Sequence, residues 1–117
     1  GLAPVMDYLK QCELLGCKPN AILLDAYRAG KYGGTGTTVD WNVLGNNPGD
    51  QCDHDLILAG GLTPDNVASA IRLVRPIGVD TASGVESEPG KKDPALTASF
   101  VSAARQAFTL MERLGVR

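Results

Sequence analysis

The stretch Leu56-Ile57-Leu58-Ala59-Gly60-Gly61-Leu62-Thr63-Pro64-Asp65 decides the fold. Four apolar residues without polar alternation suit a strand buried on both faces, as in a parallel sheet covered by helices. The strand runs into a glycine pair, and the pair into a helix start. Thr63 offers a capping hydroxyl, Pro64 fits the first helical position, and Asp65 places an acid in the first turn. Val67, Ala70, Ile71 and Val74 then recur at helical spacing and form an apolar face. Strand, glycine turn and capped helix make one βα unit.

The same grammar extends in both directions. Residues 21–24 are a continuous apolar run ended by Asp25, the mark of another buried strand. Before it, residues 4–15 read as a helix opened by Pro4, with Val5, Leu9, Cys12 and Leu15 on one face and Gly16 as its stop. Residues 27–38 form a polar, glycine-rich loop, 40–44 a short helix, and 45–50 a cluster of breakers. Toward the carboxyl terminus, 76–80 are a third, shorter strand, followed by Ser83-Gly84-Val85 and a polar segment at 86–92 with two breakers. Asp93-Pro94 opens the last helix, with Leu96, Phe100, Ala104, Ala107, Phe108, Met111 and Leu114 on its apolar face. The order is a helix and then strand-helix three times, which predicts an α/β fold with a parallel sheet and no division into two domains.

Composition agrees with a single globular unit. The chain has 117 residues, 44% of them hydrophobic, which supplies a core. Its 14 glycines and 7 prolines imply many tight turns without a collagen period. A formal net charge of −2 gives no field that would gather nucleic acid or an anionic membrane. No apolar run approaches the ~18 residues that span a bilayer. The chain opens on Gly1 with no basic-then-apolar leader, so no signal or transit peptide is expected, and a cytoplasmic location is. Cys12, Cys17 and Cys52 make no CxxC pair and His54 is the single histidine, so free thiols and no metal site are expected.

In parallel α/β folds, ligands bind at the carboxyl ends of the strands. Here those ends carry Asp25, the pair Gly60-Gly61, and Asp80 with Ser83-Gly84. A Gly-Gly pair often does no more than turn the chain. After a buried strand and before a capped helix, it also leaves backbone N–H groups free for an anion. A second turn of that kind after the next strand matches the phosphate site of barrel enzymes, built by the loops after strands seven and eight. Asp25 reads either as a salt-bridged strand end or as a general acid, since a carboxyl group beside a bound phosphate keeps its proton more readily. Gly33-Gly34-Thr35-Gly36-Thr37-Thr38 lacks the lysine of a nucleotide P-loop and reads as a lid over the site. Lys91-Lys92 reads as solvated surface, and Cys52 and His54 fall at the end away from the chemistry.

Four motifs then follow one another in register: Leu23-Leu24-Asp25; Gly33-Gly34-Thr35-Gly36 with Asp40-Trp41; Leu58-Ala59-Gly60-Gly61-Leu62 with Pro64-Asp65-Asn66-Val67; and Gly78-Val79-Asp80 through Ser83-Gly84-Val85-Glu86 to Pro89-Gly90-Lys91-Lys92-Asp93. From about residue 21 to 105 the chain closely resembles phosphoribosylanthranilate isomerase of tryptophan biosynthesis. The resemblance implies an Amadori rearrangement of N-(5-phosphoribosyl)anthranilate without metal or organic cofactor. It implies Asp25 as the general acid on the ring oxygen, Gly60, Gly61, Ser83 and Gly84 as the phosphate holders, and Asp80 in a substrate-positioning role. It also implies a (β/α)8 TIM barrel, of which the chain supplies about strands six to eight with their helices and the preceding helix.

The chain departs from the family pattern in two ways. Thr37 and Val39 stand where the family loop often has Lys and Phe, so a lid lysine is missing. The family's base cysteine, in a KICG-type motif on the first strand, and the arginine for the anthranilate carboxylate have no counterpart here. The expectation is therefore a carboxyl-terminal barrel segment over residues 1–117, inactive alone and partnered by the amino-terminal half or another copy of the chain. The alternatives are a non-catalytic partial barrel that binds phosphate or self-associates, and another barrel enzyme acting on a phosphorylated sugar or indole precursor.

Overall fold

The computed structural model describes residues 2–26, 40–44 and 47–116. Its centre is a three-stranded parallel sheet in the order β1 (Ala21–Asp25), β2 (Asp55–Ala59), β3 (Gly78–Val79). β1 and β2 run in register from Ala21↔Asp55 to Asp25↔Ala59, and β2 meets β3 at Ile57↔Gly78 and Leu58↔Val79. Around the sheet lie α1 (Ala3–Leu14), a 3-10 turn at Trp41–Leu44, the single-turn α2 (Pro48–Gln51), α3 (Val67–Val74) and α4 (Pro94–Arg113).

One face of the sheet carries the core. Leu56 and Leu58 point into it from β2 and meet Val67, Ala70, Ile71 and Val74 of α3 and Phe100, Ala104, Ala107 and Met111 of α4. All four α3 residues are buried, as their spacing predicts. Burying each larger apolar side chain contributes roughly 1.5–3 kcal/mol, so this layer supplies most of the drive to fold. Trp41 and Leu44 extend the cluster, and Asp40 closes the turn below them by accepting from the Asn42 backbone N–H at 3.0 Å. α4 starts as expected: the Asp93 carboxylate accepts from the N–H groups of Ala95 and Leu96, satisfying two donors of the first turn.

The other face is open among the described residues, which corrects the expectation of strands buried on both sides. Leu23 is 57% exposed, and Asp55, two residues along β2 from Leu23's partner Ile57, is exposed on the same face. The apolar run of β1 records which residues seek cover, not which face receives it. α1 shows the same incompleteness, since Leu9 is buried whereas Leu14 and Leu15 are exposed. Two further differences are local. α3 begins at Val67 rather than at Thr63, with 64–66 forming a turn. The polar segment 86–92 is a small antiparallel hairpin, β4 (Glu86–Glu88) with β5 (Lys91–Lys92). The glycine-rich loop expected at 27–38 lies wholly outside the described residues.

These two faces predict opposite responses to truncation. Ile71→Ala, in the closed layer, is expected to cost about 2–5 kcal/mol. Leu23→Ala on the open face is expected to stay within about 0.5 kcal/mol. Chemical denaturation of this chain measures both, and equal losses would contradict the one-sided core.

Candidate functional site

The register brings the strand ends together. Asp25 stands opposite Ala59, and Asp80 follows the Leu58↔Val79 pair, its N–H bonded to Leu58 O at 2.8 Å. Asp25, Ala59 and Asp80 therefore form one row across the carboxyl ends of the three strands. Because side chains alternate along a strand, this row belongs to the open face with Leu23 and Ile57, while Leu24, Leu58 and Val79 turn toward the helices.

The row floors a cavity of about 510 Å³ lined by Leu23, Asp25, Ala59, Gly60, Gly61, Asp80, Thr81, Ala82 and Ser83. Five of the six residues singled out from sequence thus share one cavity. The sixth, Gly84, follows Ser83 in the chain and is not itself part of the lining. A larger cavity, about 700 Å³, lies on the outer flank of α4 between Pro94, Ala98, Val101 and Arg105. The strand-end cavity is the better candidate despite its smaller volume. Two carboxylates and two glycine turns from three different elements converge there, whereas the other cavity is lined by the outer surface of α4 with Lys92 alone added from the preceding strand.

Three bonds that sequence reasoning missed shape the two turns. Gly60 and Gly61 both have positive φ, 95° and 69°, a conformation that side chains disfavour. Behind them the Asn66 side chain donates to Gly61 O at 2.9 Å and accepts from the Thr63 N–H at 2.8 Å. Asn66, not the Thr63 hydroxyl, therefore fixes the turn ahead of α3. The second turn is pressed against the first, since Thr81 Oγ1 donates to Leu62 O at 2.7 Å. A Cβ built on Gly84 would stand only 1.8 Å from that same Leu62 oxygen. Gly84 is thus required by the close approach of two loops. Ser83 lies between these anchors in a 3-10 turn (Ser83–Val85), and among the described residues neither the Ser83 nor the Gly84 N–H has an acceptor.

Cys52 and His54 precede β2, at the opposite end of the strand from the cavity, and His54 is buried. Cys12, Cys17 and Cys52 are free thiols. No group of three or more potential metal ligands occurs among the described residues. No helix there is long and apolar enough to cross a membrane.

Replacing Gly84 with Ala should force the two loops apart and cost about 1–3 kcal/mol, the range for overpacking a tight contact. Thermal denaturation checks this, and an unchanged midpoint would mean that the contact with Leu62 is loose in solution.

Comparison with known proteins gives this arrangement a family. The model of N-(5'-phosphoribosyl)anthranilate (PRA) isomerase matches residues 5–103. A protein of that name from Trichlorobacter lovleyi is 46% identical over 107 residues, which are 92% of this chain and 47% of the relative. Another from Magnetococcus marinus is 54% identical over 87 residues, 74% of this chain and 40% of the relative. The chain thus spans about half the length, or less, of the curated relatives it matches. Among solved structures, TrpF from Jonesia denitrificans aligns with a TM-score of 0.59 at 48% identity, covering 76% of this chain and 40% of that one. A phosphoribosyl anthranilate isomerase crystallised with reduced 1-(o-carboxyphenylamino)-1-deoxyribulose 5-phosphate aligns at 0.60 and 36% identity, covering 87% and 42%. By family model, relatives and fold alike, the chain belongs to the N-(5'-phosphoribosyl)anthranilate isomerase family.

Proposed function

We propose that the chain is the acid-and-phosphate side of a phosphoribosylanthranilate isomerase, a carboxyl-terminal segment of a (β/α)8 barrel acting in tryptophan biosynthesis in the cytoplasm. The observation that carries this reading is the row Asp25, Ala59, Asp80 with glycine turns at 60–61 and 83–84 around one cavity, in a member of this family. The open sheet face supports the segment reading, as do the outer strands β1 and β3, each paired only with β2 among the described residues. A closed barrel leaves no such edges.

In the proposed reaction the substrate's phosphate sits against the backbone of Gly60, Gly61, Ser83 and Gly84, where N–H groups and turn dipoles favour an anion. Fixing the phosphate places the ribose over the strand ends, and Asp80 positions it from the third strand. Asp25 gives its proton to the ring oxygen as the C1–O bond breaks, and the aniline nitrogen lone pair forms the C=N bond of an iminium. A base then removes the C2 proton, the C2–H electrons form an enamine, and tautomerisation delivers the 2-keto product. No electron leaves or enters, so no redox partner is needed. The base cysteine and the carboxylate-binding arginine belong to the part of the family that this chain does not span.

The test is a barrel completed with the amino-terminal half of the Trichlorobacter lovleyi relative. There Asp25→Asn should lower kcat by about 10²–10⁴, the usual worth of a general acid, while affinity for the reduced product analogue stays within about threefold. Unchanged turnover would remove Asp25 from the acid role. The chain by itself should bind inorganic phosphate without isomerising substrate, and turnover at a normal rate would contradict the assignment of the base to the other half.

A further inference from the structure

The fold divides the Lys91-Lys92 pair. Both residues are exposed, yet only the Lys92 side chain is engaged. Its Nζ donates to Glu86 Oε2 and, ten residues back, to Ala82 O, both at 2.8 Å. Ala82 is the residue just before Ser83, so this bond reaches the base of the second turn. The turn's own closing bond, from the Val85 N–H to Ala82 O, is long at 3.4 Å. Charge-assisted bonds are shorter and about twice as strong as neutral ones, so Lys92 is the firmer hold on that carbonyl.

Segment 81–85 is thereby pinned at three points from three directions. Thr81 is tied to Leu62, Ala82 to Lys92, and Val85 O to the Asp93 N–H at 2.8 Å. The two residues left between the pins, Ser83 and Gly84, are those whose N–H groups have no acceptor among the described residues. Lys92 does not line the strand-end cavity, so direct contact with an anion there is not its role.

We propose that Lys92 is a positioning residue for the phosphate site: held by Glu86, its ammonium ties the Ala82 carbonyl to the hairpin and so aims the Ser83 and Gly84 N–H groups into the cavity. The inference rests on the phosphate role proposed above for the two turns. Glu86 is suited to anchor the ammonium, because the hydrogen bond from Lys92 holds its carboxyl below the ordinary glutamate value and keeps it ionised.

The experiment uses this chain and inorganic phosphate, with affinity from calorimetry and amide exchange at 83–85 from NMR. Lys92→Met should weaken phosphate binding about tenfold and speed exchange at 83–85, while Lys92→Arg, which keeps two-sided donation, recovers most of both. Lys91→Met removes the same charge from the same hairpin and should change affinity less than about twofold. Glu86→Gln gives opposite signs for the two accounts. Releasing Lys92 weakens binding if the residue positions the turn, whereas removing a negative charge strengthens binding if Lys92 acts through its field. Equal effects of Lys91→Met and Lys92→Met, or tighter binding in Glu86→Gln, would overturn the proposal. Should the unmodified chain show no phosphate binding, the phosphate reading itself fails. Exchange at 83–85 then decides the clamp alone: faster in Lys92→Met upholds it, unchanged refutes it.

Discussion

Parallel strand register is the constraint on which everything else depends. Pairing Asp25 with Ala59 and Leu58 with Val79 aligns three strand ends within one row. A slip of one residue on β1 or β3 would turn its carboxylate toward the helices and its inward leucine or valine, Leu24 or Val79, to the open face, because strand side chains alternate between faces. The buried layer of Leu58, Ile71, Val74 and Phe100 therefore holds the site together from behind. Core packing and site geometry are set by the same pairing.

The turns add a second level of order. Gly60 and Gly61 bend the chain through backbone that side chains avoid, and Gly84 permits the next loop to come within contact of Leu62. Thr81 joins the two loops, so the glycine turns after β2 and β3 behave as one structure. Preorganised N–H groups stabilise an anion without reorganising when it arrives, which is the value of such rigidity in a phosphate site.

Much of this was legible because it is written locally. An apolar run into Gly-Gly, or Asp93-Pro94 ahead of a helix, carries its meaning within a few neighbours, and α3's buried face follows from spacing alone. The row of Asp25 and Asp80 was legible too, since strand ends in parallel folds gather at one edge. The bonds of Asn66, Thr81 and Lys92 were not, because their partners lie 5, 19 and 10 residues away and meet only after folding. The hairpin at 86–92 escaped because it buries no apolar face that would announce a strand. Leu23 shows the limit of an apolar run: it names a residue that needs cover, while the cover comes from elsewhere.

The central claim is that the glycine turns after β2 and β3 form one anion site. Amide chemical-shift mapping of the isotope-labelled chain during titration with inorganic phosphate tests it directly. The N–H signals of Gly60, Gly61, Ser83 and Gly84 should move together and saturate with one dissociation constant. Movement confined to the α4 flank around Thr97, Ser102 and Arg105, or separate constants for the two turns, would contradict it.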